Sequence, residues 1–410
     1  MLRNKPCLSN IFGCIAIGLS LIAGAAAYSE MQPLFSAGGP DASAYGEAEH
    51  YPIGSPDTLS EKKYMVGDFS HFDVLFPAHV VAPAGQIWQF RRMETPPQIA
   101  YLQAGNRYSL QNYLSHLPIT GLLIAKDDQI MFEGYQYGRT DRDRLTSQSM
   151  AKSIVGMLMG MALADGSVTS VSDTAAKYVP ELKDSDYGKV PIRDLLHMSS
   201  GMTCEGSRAE FEAIDAKVLA HDCKQAVPAG TRFQYSSSDA QLLGLIVTRA
   251  TKMQLSNYMD QKIWQDIGTE AKATWTLDGS GQETAYCCFN AVLRDYARFA
   301  RLLAFDGAWN GKQLIPRQWI LDATTVKESD SQLVPGKSTP FFGYGYQLWV
   351  FPGARRVFAL LGANGQRIFV DPQSKLIMAQ TAVTEKALDP KADAEMIRFW
   401  MALIRHFGES

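Results

Sequence analysis

A chain of 410 residues, 46 % hydrophobic and 20 % charged, has the make-up of an ordinary globular protein, long enough for two domains or for one domain with an insertion. Its formal net charge of −3 gives no electrostatic footing for nucleic acid, and that class of partner is set aside. The chain carries no long charge run, low-complexity tract or fixed-period repeat.

The first residues read as a targeting signal. Arg3 and Lys5 make a basic start, Ile11 to Ala27 is apolar, and Ala25-Ala26-Ala27 offers small residues for cleavage before Tyr28. An uncleaved anchor is the rival, but the apolar run is slightly short for a span and polar sequence follows at once. The expectation is a periplasmic or secreted protein that loses signal peptide 1–27 and keeps no stable membrane span. Residues 28–100, rich in Pro, Gly and Ser, read as an N-terminal extension wrapping a core.

GLLIAKDDQIMFEGYQYG (121–138) places two apolar runs around Asp127-Asp128, the pattern of a hairpin. From 149 to about 330 the periodicity is helical, over 149–164, 190–198, 239–251, 255–266, 291–305 and 316–323. YGYQLWVF (344–351), VFALLG (357–362), QRIFVD (366–371) and LIMAQTAV (376–383) then read as successive strands, and 391–407 as a closing helix. Strands early and late around a helical block predict an α+β (α/β) fold, an antiparallel sheet flanked by helices with an inserted helical domain. Residues 101–148 and 335–410 would form the sheet domain, and 149–334 the helical one.

Cys7 and Cys14 would leave with the signal. Cys204, Cys223, Cys287 and Cys288 remain, and four cysteines allow three pairings. Cys204 and Cys223 flank one loop-like segment and read as a bridge; adjacent Cys287 and Cys288 are not expected to pair with each other. With no Cys-x-x-Cys and no clustered histidine, no metal is expected.

The chemistry concentrates in TSQSMAKSIVGMLMGMALADGSV (146–168). Ser147 or Ser149 can cap a helix, and Asp165-Gly166 supplies a stop. Ile154, Val155, Leu158, Met161 and Ala162 recur at helical spacing, so one face is expected to be buried. Ser149 and Lys152 fall side by side on the first turn. A hydroxyl is a poor nucleophile until a base takes its proton, and a lysine buried against apolar surface loses its preference for charge. The helix N-terminus favours a developing oxyanion. Spacing alone is not diagnostic: Ser60-Glu61-Lys62-Lys63 also fits, in a polar stretch with no apolar helix behind it.

Three further stretches have bland readings when taken singly. LLHMSSGM (195–202) reads as a helix end closed by Ser199, Ser200 and Gly201. FQYSSSDAQLLGLIVTRAT (233–251) is a turn leading into a helix capped by Ser238 or Asp239, and Tyr235, set beside a lysine, would have a lowered pKa and could carry protons. LLGANGQRIFVDP (360–372) is a glycine-containing turn between strands.

In this order the stretches resemble the penicillin-binding protein and class C β-lactamase superfamily of serine hydrolases, over about 118–405. Ser149-Met150-Ala151-Lys152 matches its S-x-x-K element, and Phe233 through Ile246 is similar to F-x-Y-S-N-x-x-x-x-L-L-G-x-I. NAVLRDYARFARLL (290–303) is similar to a helix of that family, and NGQRIFVDP (364–372) to its third active-site strand. The resemblance implies Ser149 as the acylated nucleophile, Lys152 as the group that removes its proton, and Tyr235 as a proton carrier. It also implies an oxyanion hole from the amides of Ser149 and of a strand residue near Gly365-Gln366, with Ser237, Asn364, Gly365 and Gln366 toward the substrate. The partner would be a small-molecule amide, lactam or ester, and no cofactor is implied.

Two departures bear on substrate. Ser237 stands where the family has Asn. Gly362-Ala363-Asn364-Gly365 stands in place of Lys-Thr-Gly, removing the cation that meets a β-lactam carboxylate. Arg367 could replace it if that side chain points inward, and alternation along a strand permits either face. The Asn-Gly-Gln form and the long N-terminal segment resemble the subgroup hydrolysing 6-aminohexanoate oligomers and related amides or esters. The reading is an exported serine hydrolase working through a Ser149 acyl-enzyme, with linear amides or esters favoured and β-lactams second. The alternative is a non-catalytic binding protein on the same fold.

Overall fold

Two apolar runs fold back on one another at Asp127 because that residue takes the left-handed conformation, φ 52°, which a tight turn needs. They belong to a computed structural model that describes residues 31–95, 97–204 and 213–408. The expected signal peptide, 1–27, lies outside the described residues. In chain order the elements used below are β1 (Leu34–Phe35), β2 (Ala78–Val81), β3 (Arg91–Arg92), β4 (Ile119–Lys126), β5 (Gln129–Tyr135) and β6 (Leu145–Thr146). Next come α1 (Met150–Ala164), α2 (Ser237–Thr251), β7 (Ala273–Thr276), β8 (Phe289–Ala291) and α3 (Leu293–Ala304). The chain then adds β9 (Gly343–Tyr344), β10 (Trp349–Val350), β11 (Phe358–Gly362), β12 (Gln366–Asp371), β13 (Leu376–Ala382) and α4 (Pro390–Phe407).

The main sheet runs β1–β5–β4–β13–β12–β11–β10–β9, with β3 also on β5. Early hairpin and late strands meet where β4 pairs β13, Ile124 opposite Met378. The sheet is antiparallel except that β1 and β3 join β5 in parallel. Alternation then sorts the side chains. Leu360, Ile368, Val370 and Ile377 pack in one core with α1 and α3. Ala359, Phe369 and Met378 pack on the other face with Phe399 and Trp400 of α4. Each such aliphatic or aromatic burial contributes about 1.5–3 kcal/mol.

Three expectations are corrected here. The helical block contains strands β7 and β8, which join β2 and β6 in a second sheet of order β2–β7–β8–β6. The run 344–351 is not one strand but the hairpin β9–β10, turned at Gln347 with φ 59°. And α1 is buried all round from Met150 to Ala162, because it runs between the main sheet and the helices. Gly160 lets it do so: a Cβ there would lie 2.4 Å from the Trp319 ring.

The remaining helices are shorter or shifted. The span 190–198 forms a helix only at Ile192–Leu196, and 255–266 is helical at Leu255–Met259 before a single π turn. Helix α2 begins at Ser237 and is capped by Ser236, whose Oγ accepts from the Asp239 amide at 3.2 Å; the cap is not Ser238 or Asp239.

Cys204 and Cys223 are bridged and sit opposite each other in a short antiparallel pair. Cys287 and Cys288 are bridged to each other, against expectation. Consecutive side chains in an extended chain point to opposite faces. At Cys288 a φ of 66° turns the backbone so that both sulfurs reach the same side.

Candidate active site

Strand β6 leads into residues 147–149. Beyond its end, the Ser147 amide donates to Phe289 O at 2.8 Å and the Phe289 amide to Ser147 Oγ at 3.0 Å, so pairing with β8 continues. Gln148 then takes a left-handed φ of 45°, a conformation uncommon for a residue with a Cβ and concentrated at functional sites. That bend presents Ser149 at the head of α1. A helix-cap serine ordinarily accepts a hydrogen bond from an amide of the first turn. Ser149 makes no such bond; its Oγ accepts from Lys152 Nζ at 2.9 Å.

Lys152 is 2 % exposed and donates a second bond, 2.6 Å long, to the Tyr286 carbonyl. Its Nζ stands 4.8 Å from the Tyr235 ring centroid and 5.9 Å from that of Tyr286. Desolvation holds the ammonium form down to about 7. A substantial share of the amine is therefore free at neutral pH, with its lone pair beside the serine proton.

Tyr235 behaves differently from the expectation of a lowered pKa. As a residue it is 39 % exposed, yet burial around its hydroxyl pushes the phenol up to about 12, with a hydrogen bond to Ser149 opposing the rise. Desolvation is the largest cause and outweighs both the Ser149 hydroxyl and the Arg367 charge, which act to lower it. The phenol thus stays protonated across the physiological range.

The loop carrying Tyr235 is held by the LLHMSSGM stretch. The Gln234 amide donates to Met198 O at 2.7 Å, and the Ser236 amide to Met198 Sδ at 3.3 Å. Ser200 and Tyr187 hydroxyls each donate to Asp239 Oδ1 at 2.8 Å, locking that loop to α2. Burial pushes the Asp239 carboxyl up to about 7. Trp349, 5.3 Å from the Tyr235 ring, and Tyr344, 6.2 Å away, complete an aromatic wall.

The β11–β12 turn passes directly against Ser147 and Gln148. A Cβ on Gly362 would lie 2.4 Å from Ser147 O and 3.0 Å from Gln148 Cβ. Within the turn, Asn364 Nδ2 donates to Thr384 O at 2.8 Å, and Gln366 Nε2 to Ala382 O at 2.7 Å. The Asn364 amide donates to Ala387 O, and the Gln366 amide to Ala363 O. Gly365 is buried with φ 89°. Asn364, Gly365 and Gln366 therefore build the turn. Ser237 lies exposed on the first turn of α2.

The Arg367 side chain is taken up by partners of its own, although its charge still acts to lower the pKa of the Tyr235 phenol. It shares the Phe369 face of β12, where it ion-pairs with Asp393 of α4 and donates to the Gly362 and Gln366 carbonyls. Its charge is thus already met by Asp393. The decoy Ser60–Lys63 lies at the surface, Lys63 Nζ held by Glu49 at 3.0 Å. Sequence reasoning missed the Tyr286 carbonyl, since a backbone acceptor has no residue signature.

Known proteins share this architecture. The family model described as Beta-lactamase matches residues 111–398. The 6-aminohexanoate-dimer hydrolase of Paenarthrobacter ureafaciens is 22 % identical over 291 residues, 66 % of this chain and 74 % of that protein. A Bacillus anthracis structure described as a candidate 6-aminohexanoate-dimer hydrolase superposes with a TM-score of 0.77 at 22 % identity, over 86 % of this chain and 96 % of that one. EstCE1, a hydrolase with promiscuous acyltransferase activity, gives 0.57 at 14 % identity, over 72 % and 96 %.

Proposed function

We propose, from the premise that this chain belongs to the beta-lactamase family and is a serine hydrolase, that Ser149 is its nucleophile and that linear amides or esters are its substrates. The observation that carries the reading is the Ser149 hydroxyl bonded to a buried lysine whose amine is free near neutrality. The Lys152 amine takes the Oγ–H proton as Oγ attacks the carbonyl carbon, and the carbonyl electron pair moves to oxygen. The Ser149 amide, at the positive end of α1, and a donor from the Gly362–Ala363 side of the turn meet that oxyanion. Tyr235 gives its proton to the leaving amine or alkoxide as the bond to carbon breaks, and recovers one from the Lys152 ammonium. Water then attacks the acyl-enzyme by the same proton route in reverse.

Preference against β-lactams follows from the third strand. A β-lactam carries a carboxylate, and an unpaired charge costs several kcal/mol to desolvate. Arg367, the cation of β12, is committed to Asp393. The aromatic wall of Tyr235, Tyr344 and Trp349 supports uncharged, apolar groups instead. The Cys204–Cys223 bridge supports an exported protein, and no helix among the described residues is long and apolar enough to cross a membrane.

The test compares kcat/KM for p-nitrophenyl butyrate, a linear aminohexanoate amide, nitrocefin and a carbapenem. The expected result is an ester or linear amide ahead of both β-lactams by about 100-fold, the worth of roughly 2.7 kcal/mol. A β-lactam ahead by the same factor would overturn the preference.

A further inference from the structure

The segment Tyr286–Phe289 touches the site at three points. The Tyr286 carbonyl accepts from Lys152 Nζ at 2.6 Å, the Cys288 amide donates to Gln148 O at 3.2 Å, and the Phe289 amide donates to Ser147 Oγ at 3.0 Å. One short stretch thus fixes both the base and the two residues that present the nucleophile. At its centre stands the Cys287–Cys288 bridge. We infer that this bridge is a positioning element of the reaction, locking the turn that holds Lys152 and Gln148 in register. The inference rests on the role proposed for Ser149 and Lys152.

The physical reason is conformational. Cys288 has a φ of 66°, which a residue with a Cβ leaves readily for the right-handed or extended region. The ring closed by the bridge contains the Cys287–Cys288 peptide itself, so that peptide cannot flip while the sulfurs are joined. Its plane sets the direction of the Cys288 amide toward Gln148, and the chain leading back to the Tyr286 carbonyl.

Neighbouring bonds support the turn without replacing the bridge. Thr284 Oγ1 donates to Cys287 O at 3.0 Å, and Asn290 Nδ2 to Cys288 O at 3.1 Å. They restrain the two cysteine carbonyls, and the Cys287 amide, donating to Thr284 O at 3.0 Å, steadies the peptide that carries the Tyr286 carbonyl; none of them covalently fixes the Cys287–Cys288 peptide at its left-handed junction. Both cysteines are buried, in a cluster with Tyr45, Phe69 and Phe72 of the N-terminal segment. That segment therefore helps cover the bridge, and keeps bulk reductant from it in the folded enzyme.

The experiment uses the full chain with Cys287→Ser/Cys288→Ser, assayed by ester hydrolysis across pH. The expected result is a fall in kcat of about tenfold or more, since misplacing catalytic groups by an ångström costs up to about a hundredfold. KM stays within about twofold, because Tyr235, Tyr344 and Trp349 are carried on other segments and only Tyr286 of this turn packs beside them. Water entering beside Lys152 also moves the rising limb of the pH profile upward, toward the ordinary lysine range. Unchanged kcat with an unchanged limb overturns the inference.

Should that variant not fold, the same measurements are made on Cys204→Ser/Cys223→Ser protein treated with a water-soluble phosphine under mild urea. There the bridge, phosphine and water give two thiols and phosphine oxide, and mass spectrometry counts the thiols. Reduction with unaltered kcat and pH limb again overturns it. The underlying reading fails separately: parent protein that neither hydrolyses ester nor takes a fluorophosphonate on Ser149 shows that the proposed roles, not the bridge, are wrong.

Discussion

Lys152→Ala, Tyr235→Phe and the double variant all lower kcat/KM for ester hydrolysis by a similar factor, about 10³, within the range for general acid–base catalysis. In the proposed route both groups act through Ser149 Oγ: Lys152 Nζ is 2.9 Å from it, and the Tyr235 phenol is near enough for Ser149 to oppose its rise in pKa. Breaking the route once stops the traffic, so a second break removes little more. The pH profile gives the matching signature. With Lys152 near 7, parent kcat/KM falls about tenfold per unit below that pH, as the base is protonated, and levels off above it. No falling limb from Tyr235 is expected below about pH 11, because its phenol is pushed up to about 12. Lys152→Ala abolishes the rising limb. A double variant whose loss equals the product of the single losses would show two independent groups.

Gly362→Ala is expected to lower kcat/KM by about a hundredfold while the protein stays folded. The added Cβ would lie 2.4 Å from Ser147 O, a backbone atom that cannot rotate away, and 3.0 Å from Gln148 Cβ. Either β11 or the nucleophile segment must shift by about an ångström, and displacement on that scale costs about 10² in rate. The global cost stays within about 1–3 kcal/mol, typical of overpacking. Steady-state kinetics together with thermal unfolding separate the two effects. An Ala variant with parent kinetics would show that the turn does not border the reacting serine.

The site was legible where its chemistry is local. Ser149 and Lys152 stand one helical turn apart, so the spacing and the apolar helix behind it set the two side by side, and the resemblance of the later stretches gave the pair its roles. Tyr235 lies 83 residues beyond Lys152 and emerged only through the resemblance of the whole F-x-Y-S stretch. The Tyr286 carbonyl remained hidden because any residue type supplies one. Arg367 shows a subtler limit. Alternation divides β12 into two faces, but which one meets the serine depends on where α4 docks, and Asp393 lies 26 residues away. Asn364 and Gln366 match the family's strand by position, yet their amides are turned to Thr384 and Ala382, and nothing local distinguishes a turn-building amide from a substrate-facing one. The second sheet escaped notice because its strands run only two to four residues, too short for alternation to register. The Cys287–Cys288 bridge required a left-handed φ that two adjacent cysteines do not announce.

The central claim is that a carbonyl substrate becomes covalently attached to Ser149. Rapid quenching of the enzyme during turnover of p-nitrophenyl butyrate, followed by digestion and mass spectrometry of the peptide spanning Ser147 to Ser153, tests it most directly. The expected result is one butyryl group on Ser149, absent from Ser149→Ala protein, which also loses turnover. A butyryl group on Ser147 or Ser153, or undiminished turnover in Ser149→Ala, would contradict it.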